Sequence, residues 1–257
     1  VGIWPALVTP LKTEQEVHVK ATVSLVESLL ACGVGGLYVG GGTGEGVLLP
    51  PSVRKQVAEI VVSTVAKRVP VMVHVAAINS EQGLELARHA HSIGADAVSA
   101  IPPFYYSYDL AAIRDHYERL AAAAELPLYL YYIPTATGVT VTPQELLGLC
   151  ALPGVAGFKY TSQDLVYLTR VLADRQPSTN ILSGPDELLM PCLALGVDGA
   201  IGTTYNLMPR LNLDIAWAVQ SGDLATARQL AYRANNVIDA LRPFGVIPAT
   251  KATLTML

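Results

Sequence analysis

Val155-Ala-Gly-Phe-Lys-Tyr-Thr161 reads as a short buried strand of apolar and small residues that carries one charge, Lys159. A lysine is costly in such a place. An unpaired ammonium taken out of water tends to lose its proton rather than keep its charge. A neutral lysine amine is a nucleophile for a carbonyl carbon. Position alone leaves two readings: a Schiff-base lysine, or a structural lysine that snorkels its amine to water. Lys12, Lys20, Lys55, Lys67 and Lys251 fall in loops or on helices, where exposure is expected, so only Lys159 lies in an interior strand.

Outward from this strand the same unit repeats. Strands are expected at Trp4–Val8, Gly36–Val39, Val69–His74, Ala97–Ile101, Leu128–Ile133, Val155–Tyr160, Asn180–Ser183 and Ala200–Thr204. Helical patterns alternate with them at Thr22–Ala31, Ser52–Ala66, Ser80–Ser92, Leu110–Ala124, Pro143–Leu149, Gln163–Asp174 and Glu187–Leu195. Thr142 suits an N-cap before Pro143, and Gly33, Gly94 and Gly196 suit helix C-termini. Eight strands, each followed by a helix, predict an α/β fold: a closed (β/α)8 TIM barrel with additional C-terminal helices. Residues 1–257 read as one domain, extended by one or two helices from about 222. An open doubly wound sheet is the competing topology. It usually carries G-x-G-x-x-G after its first strand, and no such motif occurs.

Composition agrees. Apolar residues make up 51% of the 257 and charged residues 15%, which suits a parallel sheet covered on both faces. With a net charge of −4 and no basic cluster, nucleic acid is not an expected partner. Cys32, Cys150 and Cys192 form no CxxC and are expected to be free thiols in a reducing compartment. No signal-peptide pattern opens the chain, and no apolar run approaches ~18 residues. The expectation is a cytoplasmic protein with no membrane partner and trimmed ends, starting at Val1 and stopping in an apolar stretch at Leu257.

In barrels of this kind the chemistry lies at the C-terminal ends of the strands. Tyr131, on the strand before Lys159, could move protons to and from a substrate, or pack as an aromatic whose hydroxyl finds a partner. Gly40-Gly-Gly-Thr-Gly-Glu45 offers backbone amides and the Thr43 hydroxyl to an anion, or is merely a tight turn. Glu45 could also complement a helix start. Asp186 and Glu187 could bind polyol hydroxyls, or Asp186 could cap a helix. Thr203 is a further hydroxyl at a strand end. Metal and hydrolase readings fare poorly: His89 and His91 are two apart on a helix, and neither HExxH nor G-x-S-x-G occurs. His74 reads as a core histidine.

Four motifs in order, Gly40-Gly-Gly-Thr-Gly-Glu45, Tyr131-x-Ile-Pro134, Gly157-Phe-Lys159 and Gly202-Thr-Thr-Tyr-Asn206, make the chain resemble the dihydrodipicolinate synthase / N-acetylneuraminate lyase family of class I aldolases. Tyr38 to Glu45, Gly184-Pro-Asp-Glu187 and Tyr131 to Val139 are most similar to its lyase branch. Ala136 stands where synthases place an arginine for a second carboxylate. The resemblance implies reversible cleavage of N-acetylneuraminate to N-acetylmannosamine and pyruvate, through an imine at Lys159 with Tyr131 as proton shuttle. It implies that Gly42 and Thr43 hold the pyruvyl carboxylate, and that Thr161, Gly184, Asp186, Glu187 and Thr203 bind the sugar. Tyr105 would enter a neighbouring subunit's site, which implies a homotetramer. Neither metal nor organic cofactor is implied. Three departures stand out. Gly42 replaces a hydroxyl residue, Tyr132 an asparagine, and Pro185 an aromatic residue. Gly42 also suits family dehydratases of 2-keto-3-deoxy sugar acids. Another aldolase or dehydratase for such acids, or a non-catalytic pyruvate- or sugar-acid-binding homologue, are the alternative readings.

Overall fold

The computed structural model describes residues 2–13 and 15–256, so Val1, Glu14 and Leu257 of the expected domain lie outside the described residues. Its central sheet has eight strands: β1 (Gly2–Pro5), β2 (Leu37–Val39), β3 (Val71–His74), β4 (Ala97–Ala100), β5 (Leu128–Tyr132), β6 (Val155–Tyr160), β7 (Asn180–Ser183) and β8 (Gly199–Gly202). Every ladder is parallel, and each strand from β2 onward pairs with its successor in the chain. β1 pairs with β8, and a parallel bridge from Ala6 to Tyr38 joins β1 to β2. The sheet thus curls into a nearly closed barrel, as the repeated strand–helix unit predicts.

A helix follows each strand: α1 (Val19–Ala31), α2 (Pro51–Val65), α3 (Ser80–Ser92), α4 (Leu110–Ala124), α5 (Pro143–Cys150), α6 (Leu165–Asp174), α7 (Leu189–Leu195) and, after β8, α8 (Pro209–Gln220). Local chemistry sets many of their ends. Thr142 and Glu145 form a reciprocal capping box at α5, and Asn79, Asp109 and Asp164 accept first-turn amides of α3, α4 and α6. Gly33, Gly94 and Gly196 follow α1, α3 and α7 with positive φ.

Several boundaries differ from the expectations, each for a local reason. β8 stops at Gly202 because Asp186 captures the amides of Thr203 and Thr204, which leave the sheet as a short 3-10 turn. β1 ends at Pro5, and Leu7 and Val8 are buried beyond the ladder. α6 begins at Leu165 because Asp164 caps it. α8 escapes the periodicity because Asn212, at 1% exposure, occupies its buried face and donates to the Met208 carbonyl at 2.8 Å. A small antiparallel hairpin, Leu11–Thr13 with Glu16–Val17, is also additional to the sequence reading.

After Asp223 the chain forms α9 (Leu224–Leu241) and α10 (Val246–Met256), joined by a 3-10 turn at Arg242–Phe244. α9 packs on α8, while α10 meets the turn after β8, at the C-terminal end of the barrel strands. Two apolar layers hold the assembly together. Ala6, Tyr38, Met72, Ala97, Tyr131, Leu182 and Ile201 fill the barrel interior, and a larger core lies between sheet and helices. No helix among the described residues is long and apolar enough to cross a membrane. Cys32, Cys150 and Cys192 are free.

Candidate active site

Lys159 leaves β6 into the barrel interior and is 5% exposed. The β5–β6 ladder sets Tyr131 in register with it. Its Nζ lies 4.3 Å from the Tyr131 ring centroid and 4.8 Å from that of Tyr38 on β2. Both rings present π density to the amine. Among the described residues Lys159 belongs to no ion pair, so the amine has an aromatic wall and no counter-ion.

A layer of buried polar groups supports this wall. His74 on β3 stands edge-on to Tyr131, with ring centroids 6.0 Å apart. Burial first, then the charges of Arg54 and Lys159, pushes His74 down to about 3, so the ring is neutral at pH 7. Arg54, buried on α2, donates to the carbonyls of His74 and Ala76 at 2.8 and 2.9 Å and fixes the end of β3. The Tyr38 hydroxyl donates to Ser99 Oγ at 3.3 Å.

The loop after β2 is held in one shape. Thr9 Oγ1 donates to the Gly44 carbonyl at 2.7 Å, and the Gly46 amide donates to the Gly41 carbonyl at 3.1 Å. A Cβ on Gly46 would sit 1.8 Å from the Gly40 carbonyl oxygen, so only glycine fits there. Among the described residues the amides of Gly42, Thr43 and Gly44 donate to no protein carbonyl. The buried Thr43 hydroxyl lies 2.6 Å from that of Thr203, bridging the β2 and β8 loops. Gly42 is exposed, and a Cβ built on it meets nothing within 4 Å.

The expected sugar residues separate into two groups. Thr161 and Gly184 face each other: the Thr161 hydroxyl is buried without a protein partner, and a Gly184 Cβ would approach it to 1.8 Å. Asp186 caps no helix of its own. Its carboxylate accepts from the Thr203 amide at 3.2 Å and from the Thr204 amide and hydroxyl, both at 2.6 Å, so it organises the β8 loop. Burial raises its pKa, and the Thr204 hydrogen bonds oppose that rise. Glu187 lies further out and accepts from Arg242 at 2.6 Å. Glu45 does not serve a helix start: its carboxylate accepts from Lys251 on α10 at 2.7 Å. Tyr105 is 81% exposed on the loop after β4, with φ +79 and its ring 4.9 Å from that of Tyr106.

Tyr38, Arg54, His74 and the tail residues Lys251 and Arg242 are the additions that sequence reasoning missed as site components. Tyr38 carried a usable signal, a tyrosine in an interior strand like Tyr131. Arg54 and Lys251 carried none, because a charged residue on a helix reads as exposed. Among the described residues no three His, Cys, Asp or Glu side chains gather as metal ligands.

Comparison with known proteins narrows the chemistry. The sequence profile of the dihydrodipicolinate synthetase family matches residues 1–257. N-acetylneuraminate lyase of Citrobacter koseri is 39% identical over 254 residues, which span 98% of this chain and 85% of the relative. The structure of CdNal from Clostridium difficile in complex with mannosamine superposes with a TM-score of 0.95 at 30% identity, over 99% of this chain and 88% of that one. A catalytic lysine mutant of Ruminococcus gnavus sialic acid aldolase gives a TM-score of 0.90 at 31% identity, over 94% of this chain and 79% of that one.

Proposed function

Because the chain belongs to the dihydrodipicolinate synthetase family, we propose that it works as a class I aldolase, cleaving N-acetylneuraminate reversibly to N-acetylmannosamine and pyruvate. The observation that carries this reading is the pairing of a buried lysine without a counter-ion and a tyrosine on the adjacent rung.

The Lys159 amine adds to the keto carbon of the open-chain sugar acid, and water leaves to give a protonated imine. That imine draws electrons from the neighbouring carbon–carbon bond. Tyr131 relays the proton of the hydroxyl whose carbon becomes the aldehyde: the phenol oxygen accepts it as the phenol's own proton passes to water, which later returns a proton to the enamine carbon. The bond breaks, N-acetylmannosamine departs, and the electron pair rests in an enamine. Protonation at the enamine carbon and addition of water release pyruvate and return the amine. The free amides at Gly42–Gly44 and the Thr43 hydroxyl hold the carboxylate throughout. Thr161, Gly184 and Glu187 line the sugar portion, with Asp186 and Thr203 shaping the loop above it. The chemistry needs neither metal nor organic cofactor.

In the same reading residues 1–257 form one domain, and the enzyme is a homotetramer in the cytoplasm, a setting that suits three free cysteines. The strained, exposed Tyr105 supports a role at a neighbouring subunit: a tyrosine at φ +79 persists where function or assembly rewards it.

Borohydride reduction in the presence of pyruvate tests the imine. A covalent adduct on the Lys159 peptide is expected, and its absence from folded protein that still binds pyruvate rejects the mechanism. Gly42 favours a second reading, an aldolase or dehydratase for a 2-keto-3-deoxy sugar acid, because the exposed loop position lacks a hydroxyl. A panel of sugar acids separates the two. Turnover of a keto-deoxy hexonate with none of N-acetylneuraminate would establish the second. An adduct without turnover of any acid would mark a binding homologue.

A further inference from the structure

Two carboxylates at the mouth of the barrel are tied to the C-terminal tail. Lys251 on α10 donates to Glu45 in the loop after β2, and Arg242, in the turn before α10, donates to Glu187 after β7. The Lys251 and Glu45 side chains keep only 31% and 32% of their accessibility. An isolated pair of this kind contributes little to folding stability. Its position says more. Glu45 sits in the left-handed region, at φ 56, where a glutamate is uncommon and strained. The three residues before it, Gly42–Gly44, carry the free amides. From the barrel side that loop is fixed by Thr9 on Gly44 and by the close packing of Gly46 on Gly40. Lys251 supplies a third anchor from 206 residues away, and the neighbouring Ala249 and Thr250 are buried, so α10 cannot swing freely.

We propose that Lys251 is a positioning residue for the keto-acid carboxylate: through Glu45 it holds the amides of Gly42–Gly44 in the orientation that receives the anion. The tail is then a strap across the mouth, and its loss loosens substrate binding before it loosens the fold. This inference rests on the carboxylate role given to that loop under the proposed function.

An anchor that aids ground state and transition state alike changes KM and leaves kcat alone. The test is steady-state condensation of pyruvate with N-acetylmannosamine by Lys251→Met, Glu45→Gln and the double variant. Each single change is expected to raise KM for pyruvate about three- to tenfold, with the double variant no worse than the weaker single, as coupled partners require. The KM for N-acetylmannosamine and kcat should stay within about twofold, and Lys251→Arg should restore pyruvate binding. Unmoved pyruvate KM values, additive effects, or an equal rise for both substrates would overturn the proposal. If Lys251→Met fails to fold, Glu45→Gln, which leaves the tail intact, decides alone. Wild-type enzyme is assayed first. Without an imine adduct or turnover in the wild type, the reading of the site fails and takes the strap with it. An active wild type with indifferent variants rejects the strap alone.

Discussion

Tyr131 and Lys159 occupy the same rung of the β5–β6 ladder, with the lysine Nζ 4.3 Å from the centre of the tyrosine ring. Side chains on one rung of a parallel ladder project to the same side of the sheet, here the barrel interior. Backbone hydrogen bonding therefore sets the distance between the lysine and the tyrosine, without help from a mobile loop.

Replacing the two members of this pair should separate two steps. Lys159→Met keeps the volume and removes the amine. Activity and the borohydride adduct should vanish, while thermal stability holds or rises, since an apolar group replaces a buried polar one that leaves behind no ion-pair partner among the described residues. Tyr131→Phe keeps the ring beside the amine and removes the hydroxyl. Adduct formation with pyruvate should survive, and turnover should fall about 10²–10⁴-fold. Peptide mass spectrometry alongside a coupled assay reads both.

Two glycines of the site should respond in opposite ways. Gly42→Ser enters open space and should cost no stability, with equal or better pyruvate binding from the added hydroxyl. Gly184→Ala drives a methyl against the Thr161 hydroxyl and should cost about 1–3 kcal/mol as well as sugar binding. Denaturant unfolding and KM values check the contrast. A large loss from Gly42→Ser would show that the loop is organised differently when substrate is bound.

Acid should weaken the fold through its histidines. Burial pushes His74 down to about 3 and His116 to about 4, so both stay neutral in the folded state while the unfolded chain takes up protons below about pH 6.5. A group whose folded pKa is depressed supports the fold above its unfolded pKa, and that support fades as pH falls toward the folded value. At pH 5 each histidine should cost about 2 kcal/mol relative to pH 8. Asp186, raised mainly by burial, works the other way, favouring the fold as pH falls toward and below its unfolded value. Urea unfolding at pH 8 and pH 5 should show the loss, and His74→Gln should shrink it.

Tyr105→Gly should part stability from activity. Glycine accepts φ +79 without strain, so the monomer fold should be unchanged or slightly firmer, within about 1 kcal/mol. Turnover should drop if the ring completes a neighbour's site. Calorimetry, sedimentation and kinetics on one preparation distinguish this from simple disassembly.

What could be read from the chain follows from short-range rules. Buried parallel strands declare themselves as apolar runs, caps as Thr142 before Pro143 and glycines after helices, and a lysine inside such a run is conspicuous because ordinary lysines avoid it. Eight strands and seven helices, with Lys159, Tyr131 and Thr43 at strand ends, were therefore legible before any coordinates. The eighth helix, α8, was not, because the buried Asn212 breaks its periodicity and is satisfied only by a hydrogen bond within the helix. The fates of Asp186, Glu45 and Glu187 were equally hidden. A carboxylate at a loop start looks the same whether it meets solvent, a helix or a substrate. Only tertiary structure brings Thr204, Lys251 and Arg242 to these three, across separations in sequence of 18, 206 and 55 residues. Local sequence thus determined the barrel and its lysine–tyrosine pair, because pattern and register act between near neighbours. The folded chain alone decided how the mouth is braced, because charge partners are chosen by distance in space.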